Sequence, residues 1–278
     1  MKRRTMANDY KILCSEANKM LKMKNGSITS NGWTKIDGEY DKRTNFKGVL
    51  YEKDGEYALC FVGTDKWNYK DHAANLQMAA TGDSKQIRQA KNFTEKMRRE
   101  HDLNTDNTAS IGHSEGGNEA TVVGIQNGLK TVTFNAYGVG KKYINPNKNY
   151  NDLVTNYRDA HDPVSKLREN VGETYITPST QNQFMFKTPF GSIQSHGIDN
   201  MGDCDNAVPV NYYKQNHPVF IDKISNVNIT REDIGVMDSD LFKVYEKEID
   251  NRMANNNIGN SSKDKWVTIN GNHNLIKD

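Results

Sequence analysis

The chain has few cysteines and little net charge, and each shortage excludes a class of protein. Its 278 residues include three cysteines, Cys14, Cys60 and Cys204, which are widely spaced and lack the spacing of a metal motif. An odd number of scattered cysteines predicts reduced thiols in the cytosol where the protein is made. The formal net charge of +2 gives no electrostatic basis for binding nucleic acid.

Long apolar runs are missing as well. No segment approaches the apolar length of a membrane span. The basic residues Lys2-Arg3-Arg4 are followed by no apolar run, so the sequence predicts no Sec signal peptide. We therefore expect a protein that is cytoplasmic where it is synthesised, with export without a cleaved signal as the open alternative.

The sequence does contain alternating patterns of strands and helices. Apolar residues recur on one face of two predicted helices, at 6–24 and 86–100. Strand patterns occur at 48–51, 57–62, 131–134, 153–157 and 174–177, and Lys53-Asp54-Gly55 predicts a hairpin turn between the first two. Because strands that alternate with helices build parallel sheets, we predict an α/β fold with a mainly parallel sheet flanked by helices.

The C-terminal part differs in composition from the rest. A helix pattern at 239–253 begins at Asp238 or Ser239, a polar linker covers 255–264, and Asn270-Gly271 predicts the turn of a terminal hairpin. We predict a main domain at 1–217 and a C-terminal appendage at 218–278 that is dispensable for chemistry.

The most informative motif is Gly112-His113-Ser114-Glu115-Gly116, which matches the G-x-S-x-G nucleophile elbow. There a serine lies on a tight turn between a strand and a helix. Residues 107–111 suit the strand, and 118–125 suit the helix. A Cβ two residues before or after the serine would collide with neighbouring backbone, which explains the glycines. An ordinary glycine-rich turn is the alternative, because the string also occurs by chance.

A nucleophilic serine needs a base, and the base needs an acid that orients it. In proteins with this elbow the acid and then the histidine follow the serine along the chain. Asp162 is the preferred acid because Pro163 fixes an extended loop after it, and Asp159 is the alternative. Either aspartate could instead cap the loop. His196 is the preferred base and His217 the alternative, and a surface histidine without a role is the simplest interpretation of either.

Acyl transfer also needs two N–H donors for the oxyanion. The backbone amide of Glu115, directly after the serine, is one candidate. The other is expected at the end of the apolar strand 57–62, where Gly63 permits close approach and Thr64 offers an N–H and a hydroxyl. A plain strand-ending turn is the alternative at this position.

Together these segments resemble the class 3, or fungal-type, lipase family of α/β hydrolases, especially its bacterial and phage-borne branch. That family carries F-R-G-T, D-x-x-x-D/N, G-H-S-L-G-G, D-P-V and a late histidine. The matching segments here are 61–64, 71–75, 112–117, 162–164 and 195–197, and the resemblance covers about 6–201. It implies an α/β-hydrolase fold with Ser114 as nucleophile, Asp162 as acid, His196 as base, and Thr64 and Glu115 as oxyanion donors.

Two residues depart from the family pattern. Val62 replaces an arginine at what we interpret as a structural position. Glu115 replaces a leucine, and its carboxylate would oppose a nearby oxyanion unless it points away or pairs with a cation.

The resemblance implies a serine hydrolase that cleaves carboxylic esters, with lipid acyl esters as substrates, transient membrane-surface contact, and no cofactor or metal. Four residues after the oxyanion strand lie where this family places lids or acyl-chain walls, although ordinary core packing is the alternative: Trp67, Tyr69, Leu76 and Met78. A serine peptidase on the same fold and a non-catalytic structural protein are the competing functions.

Residues 265–276 are separately similar to a short segment that ends many phage minor head proteins. This resemblance implies a prophage setting, phage head components as partners, and packaging in a phage particle. A terminal hairpin without any such role is the alternative.

Overall fold

The computed structural model describes residues 6–63, 85–162, 164–166, 168, 170–177 and 195–216, together with the backbone of two strands near the C-terminus. In chain order the elements are α1 Ala7–Lys22, β1 Thr34–Asp41, β2 Phe46–Lys53, β3 Glu56–Phe61, α2 Lys85–Glu100, β4 Thr108–His113, α3 Glu115–Asn127, β5 Lys130–Phe134, β6 Val154–Asp159, β7 Glu173–Thr177, β8 Val208–Pro209, α4 Val210–Asn216, β9 Lys265–Ile269 and β10 Asn272–Ile276.

Strands β1 to β8 form one sheet in which the spatial order is the chain order. The five central strands, β3 to β7, are parallel to one another. Strands β1, β2 and β8 join at the two edges in antiparallel orientation. The predicted α/β fold with a mainly parallel sheet is therefore confirmed.

Helices cover both faces of this sheet, and the side chains of β3 show why its sequence is almost wholly apolar. Ala58 and Cys60 point to the face covered by α1, whereas Leu59 and Phe61 point to the face covered by α2 and α3. Alternate residues of a strand point to opposite faces, so a strand buried on both faces needs apolar residues at every position. The core on the α1 side includes Leu13, Ala17, Met20, Val49 and Ile111, and that on the other side includes Leu50, Phe93, Met97 and Val123.

Local sequence signals place most elements within a few residues of their observed positions. The predicted turn between β2 and β3 forms at Asp54 and Gly55, which have φ of 53° and 79°, as expected for an Asp-Gly hairpin. Strand β1 was not predicted, because its sequence is mostly polar and only one of its residues, Lys35, is buried. It lies at the edge of the sheet, where β2 is its neighbouring strand.

The predicted terminal hairpin is confirmed, since β9 and β10 pair antiparallel with Ile269 opposite Asn272. The predicted helix at 239–253 and the linker at 255–264 lie outside the described residues, and the domain boundary after 217 stays a prediction. Across the described ranges, no helix combines the length and apolar character needed to cross a membrane.

Candidate active site

Ser114 lies between the central strand β4 and the first residue of α3, at the turn that the sequence predicts. Its φ of 56° and ψ of −124° lie outside the regions that residues other than glycine usually adopt. Such strained backbone persists where the surrounding structure enforces it, and it is concentrated at functional sites.

The glycines around Ser114 are required by close backbone approaches. A Cβ on Gly112 would lie 2.2 Å from the carbonyl oxygen of Gly116, and one on Gly116 would lie 2.1 Å from that of Phe61. A Cβ on Gly117 would lie 2.5 Å from the Cβ of Ala136. The collisions expected two residues on either side of the serine therefore occur.

The structure brings the preferred serine, histidine and aspartate together. The Nε2 of His196 lies 2.7 Å from the Oγ of Ser114, and its Nδ1 lies 3.0 Å from the Oδ2 of Asp162. Because a carboxylate only accepts hydrogen bonds, the proton of a neutral imidazole is on Nδ1. This leaves the Nε2 lone pair directed at the serine hydroxyl, as a general base requires.

Asp162 is fully buried, and its carboxylate accepts several hydrogen bonds. Besides the contact with His196, Oδ1 accepts from the backbone N–H of Val164 at 2.9 Å and Oδ2 from that of Ser165 at 3.2 Å. Burial by itself raises the pKa of Asp162, but the charge and hydrogen bond of His196 and the bonds from Val164 and Ser165 bring it below its ordinary value. The carboxylate therefore stays ionised at neutral pH.

The alternative acid, Asp159, occupies a different environment. Its Oδ1 accepts a hydrogen bond from the backbone N–H of His161 at 2.8 Å and lies 3.7 Å from the Nδ1 of the same residue. It follows that Asp159 and His161 contact each other, while Asp162 contacts His196. The alternative histidine, His217, lies outside the described residues.

The end of β3 runs beside the serine turn, where an oxyanion hole is expected. A Cβ on Gly63 would lie 2.9 Å from the carbonyl oxygen of His113, 3.4 Å from the Cβ of Ser114 and 3.6 Å from the backbone nitrogen of Glu115. The amide of Glu115 also belongs to the N-terminus of α3, whose dipole favours negative charge. Thr64 lies outside the described residues, as do the four residues proposed for a lid or an acyl-chain wall.

A further buried carboxyl group, that of Glu119, lies in the second turn of α3 and was not identified from the sequence. Glu119 is 2% exposed, and within the described structure its Oε2 has no hydrogen-bond partner. Burial first, and then the charge of Glu115, raise the pKa of Glu119 well above its ordinary value. Burial likewise raises the pKa of Tyr137, with smaller contributions from Glu115 and Glu119, and Arg168 opposes the rise. The spacing of four residues between the two glutamates on a helix was the available signal.

Metal ligands are not clustered in the part of the chain that the structure describes. No group of three or more histidine, cysteine, aspartate or glutamate side chains there is arranged to hold an ion. The chemistry that the arrangement supports is proton transfer between Ser114 and His196 with Asp162 behind the imidazole.

Comparison with known proteins places this site in a named family. The family model of the Tle-like phospholipase domain matches residues 6–205. The extracellular phospholipase A1 of Serratia liquefaciens is 31% identical over 106 residues, which are 38% of this chain and 32% of that protein. The match therefore spans about a third of the length of this relative.

Solved lipase structures are similar to parts of the chain. The lipase from Rhizopus microsporus var. chinensis is 14% identical, with a TM-score of 0.48 over 68% of this chain and 84% of that one. The complex of the Rhizomucor miehei lipase with its propeptide is 12% identical, with a TM-score of 0.41 over 62% of this chain and 67% of that one.

The family match begins at the residue before α1 and extends beyond the last of the five parallel strands. It thus includes Ser114, Asp162 and His196 and every element that positions them. The chain belongs to the Tle-like phospholipase domain family and has the α/β-hydrolase fold of lipases.

Proposed function

We propose that the protein is a serine hydrolase that cleaves the acyl ester bonds of lipids, through an acyl-enzyme on Ser114. The observation that carries the proposal is the chain of hydrogen bonds from the Oγ of Ser114 through His196 to Asp162. The phospholipase-like family and the name of the Serratia relative favour phospholipids as the first substrate class to test. Such a substrate requires transient contact with a membrane surface.

In the first half of the reaction, the Oγ of Ser114 attacks the ester carbonyl carbon while its proton passes to the Nε2 of His196. The tetrahedral intermediate places negative charge on the former carbonyl oxygen, beside the amides of Glu115 and, as proposed, Thr64. The intermediate collapses when His196 gives its proton to the leaving alcohol oxygen. The acyl group then remains bonded to Ser114.

In the second half, a water molecule attacks the acyl carbonyl carbon and gives a proton to His196. Collapse of this second intermediate releases the carboxylic acid and returns the proton to Ser114. The ionised Asp162 stabilises the imidazolium in both halves, because its negative charge lies 3.0 Å from the Nδ1 of His196.

Replacing the nucleophile tests the proposal directly. We expect Ser114→Ala to lower kcat/KM on short p-nitrophenyl esters and on phosphatidylethanolamine vesicles by at least about 1,000-fold, with an unchanged melting temperature. Ser110→Ala is the matched control. Ser110 is a buried serine of β4, the strand that precedes Ser114, and its Oγ donates to the carbonyl of Ala120 at 2.9 Å. Full activity in Ser114→Ala would contradict the proposal.

Two competing functions have distinct outcomes in the same experiments. A fluorophosphonate that labels Ser114 in a protein that cleaves peptides and spares lipids would indicate a peptidase. A protein that is folded but neither labelled nor active would indicate a non-catalytic scaffold. The contacts of 2.7 and 3.0 Å around His196 argue against the scaffold, which would not need these groups to converge.

A further inference from the structure

Asn135, the first residue after β5, has a backbone and side chain that are both unusual. Its φ of 46° lies in the left-handed region, which asparagine tolerates better than most residues. Its side chain is fully buried, and its backbone N–H still donates to the carbonyl of Tyr157 at 2.9 Å. The left-handed backbone thus directs the side chain of Asn135 into the interior, while its N–H keeps a hydrogen bond to β6.

The carboxamide of Asn135 joins the end of β6 to the segment that carries His196. Its Oδ1 accepts a hydrogen bond from the backbone N–H of Asp159 at 2.8 Å. Its Nδ2 donates to the carbonyl of Ser195 at 2.9 Å and to that of His196 at 3.1 Å. One buried side chain therefore connects three stretches of chain that are far apart in sequence.

A second side chain reaches the same carbonyl from the neighbouring strand. The Nε2 of His113 lies 2.7 Å from the carbonyl oxygen of His196, and since a carbonyl only accepts, His113 donates. His113 directly precedes Ser114, and its ring centroid lies 5.2 Å from that of His196. The backbone carbonyl of His196 is thereby hydrogen-bonded to β4 and to the turn after β5.

We propose that Asn135 is a positioning residue that holds the imidazole of His196 at hydrogen-bonding distance from Ser114. His196 belongs to no strand of the sheet, so the hydrogen-bond ladder of a strand does not fix its backbone. A shift of about 1 Å at a reacting group can lower the rate about 100-fold. The inference rests on the proposed function, because the positioned group is the proposed general base.

The structure supplies a matched control one strand away. Asn156 of β6 is also buried, and its Oδ1 accepts from the Oγ1 of Thr133 at 2.8 Å. Its Nδ2 donates to the carbonyls of Val171 at 2.8 Å and Glu173 at 3.0 Å. Like Asn135, it accepts one hydrogen bond and donates two to backbone carbonyls, and the hydrogen bonds of its side chain join it to none of the three proposed catalytic residues.

Asn135→Asp and Asn156→Asp each place a carboxyl oxygen against two carbonyl oxygens, so both are expected to lower the melting temperature. We expect only Asn135→Asp to lower kcat, by about 10- to 100-fold, with KM changed less than about twofold and with slower fluorophosphonate labelling of Ser114. Asn135→Gly keeps the backbone conformation and removes the three side-chain bonds, so it should lower kcat similarly. An unchanged kcat in both Asn135 variants, or an equal loss in Asn156→Asp, would overturn the inference.

A measurement without substrate separates this inference from the proposed function. The Nδ1 proton of His196, bonded to Asp162, should give a downfield NMR resonance that His196→Gln removes. We expect this resonance to be lost or displaced in Asn135→Asp and retained in Asn156→Asp. If the wild-type protein hydrolyses no ester, the proposed function fails, and an unaltered resonance in Asn135→Asp would then reject the positioning role independently.

Discussion

At the scale of single residues, the helix that follows the nucleophile contains two glutamates whose environments differ. Glu115 begins α3, and Glu119 lies one turn further along, in the interior. A buried carboxyl group without a charged partner is more stable with its proton, because transfer of a charge out of water is unfavourable. Burial therefore favours the protonated, neutral form of Glu119 in the folded protein.

This protonation predicts how the stability of the protein changes with pH. The pKa of Glu119 is raised in the folded state, so at low pH both states hold the proton. As pH rises above the unfolded pKa, only the unfolded chain releases the proton freely, and the free energy of unfolding falls until the folded pKa is reached.

Glu119→Gln removes the titration and keeps the shape of the side chain. We therefore expect the melting temperature of the variant to exceed that of the wild type by a margin that grows from pH 5 to pH 8. Thermal melts across this range test it, with Glu95→Gln on α2 as the exposed control. A margin that stays constant with pH would show that Glu119 is charged in the folded protein.

At the scale of elements, the junction of β3, β4 and α3 is a set of backbone contacts that admit no side chain. The close approaches at Gly112 and Gly116 involve main-chain oxygens, which cannot rotate away as a side chain can. Tight packing of this kind makes even one added methyl group unfavourable.

Gly116→Ala is accordingly expected to lower the free energy of unfolding by about 3 kcal/mol, the upper end for overpacking, and to reduce esterase activity strongly. Gly26→Ala is the control, because Gly26 has a φ of 87° but no atom within 4 Å of an added Cβ. Gly26→Ala should lower the free energy of unfolding by about 1 kcal/mol, because only the backbone conformation opposes the added Cβ. Urea unfolding and activity of the two variants can be compared directly, and equal losses would exclude the collision as the cause.

At the scale of the whole molecule, the described residues that contact the proposed nucleophile all precede residue 217. The terminal hairpin of β9 and β10 is far along the chain from them, and an isolated two-stranded hairpin is marginally stable. Packaging in a phage particle and binding to phage head components stay predictions that concern this C-terminal part. Cytoplasmic synthesis stays a prediction from the cysteines and the N-terminal residues.

Truncation after Asn257 tests whether the tail takes part in the chemistry. We expect the shortened protein to retain its ester hydrolysis within about twofold, because the proposed triad and oxyanion donors are all kept. We expect it to lose association with phage particles in co-sedimentation. A truncated protein that is folded but inactive would show that the tail completes the site.

Features that depend on neighbours along the chain could be predicted from the amino-acid sequence. The turn at Ser114 follows from its glycines, the apolar composition of β3 predicts a buried strand, and Asp54-Gly55 predicts the hairpin turn. Asp162 and His196 were the preferred partners from their loops, and the resemblance implied the same roles.

The tertiary structure was needed to show which of two aspartates three residues apart contacts His196, because both follow the same strand and their separation depends on how the loop turns. Asp162 meets His196 across 34 residues of sequence, and His196 meets Ser114 across 82. The sequence also did not predict three other features: the polar edge strand β1, the burial of Glu119 and the contacts of Asn135. Composition does not reveal which distant groups a side chain will contact. Packing brings these groups together, and a hydrogen bond between them has no local sequence signature.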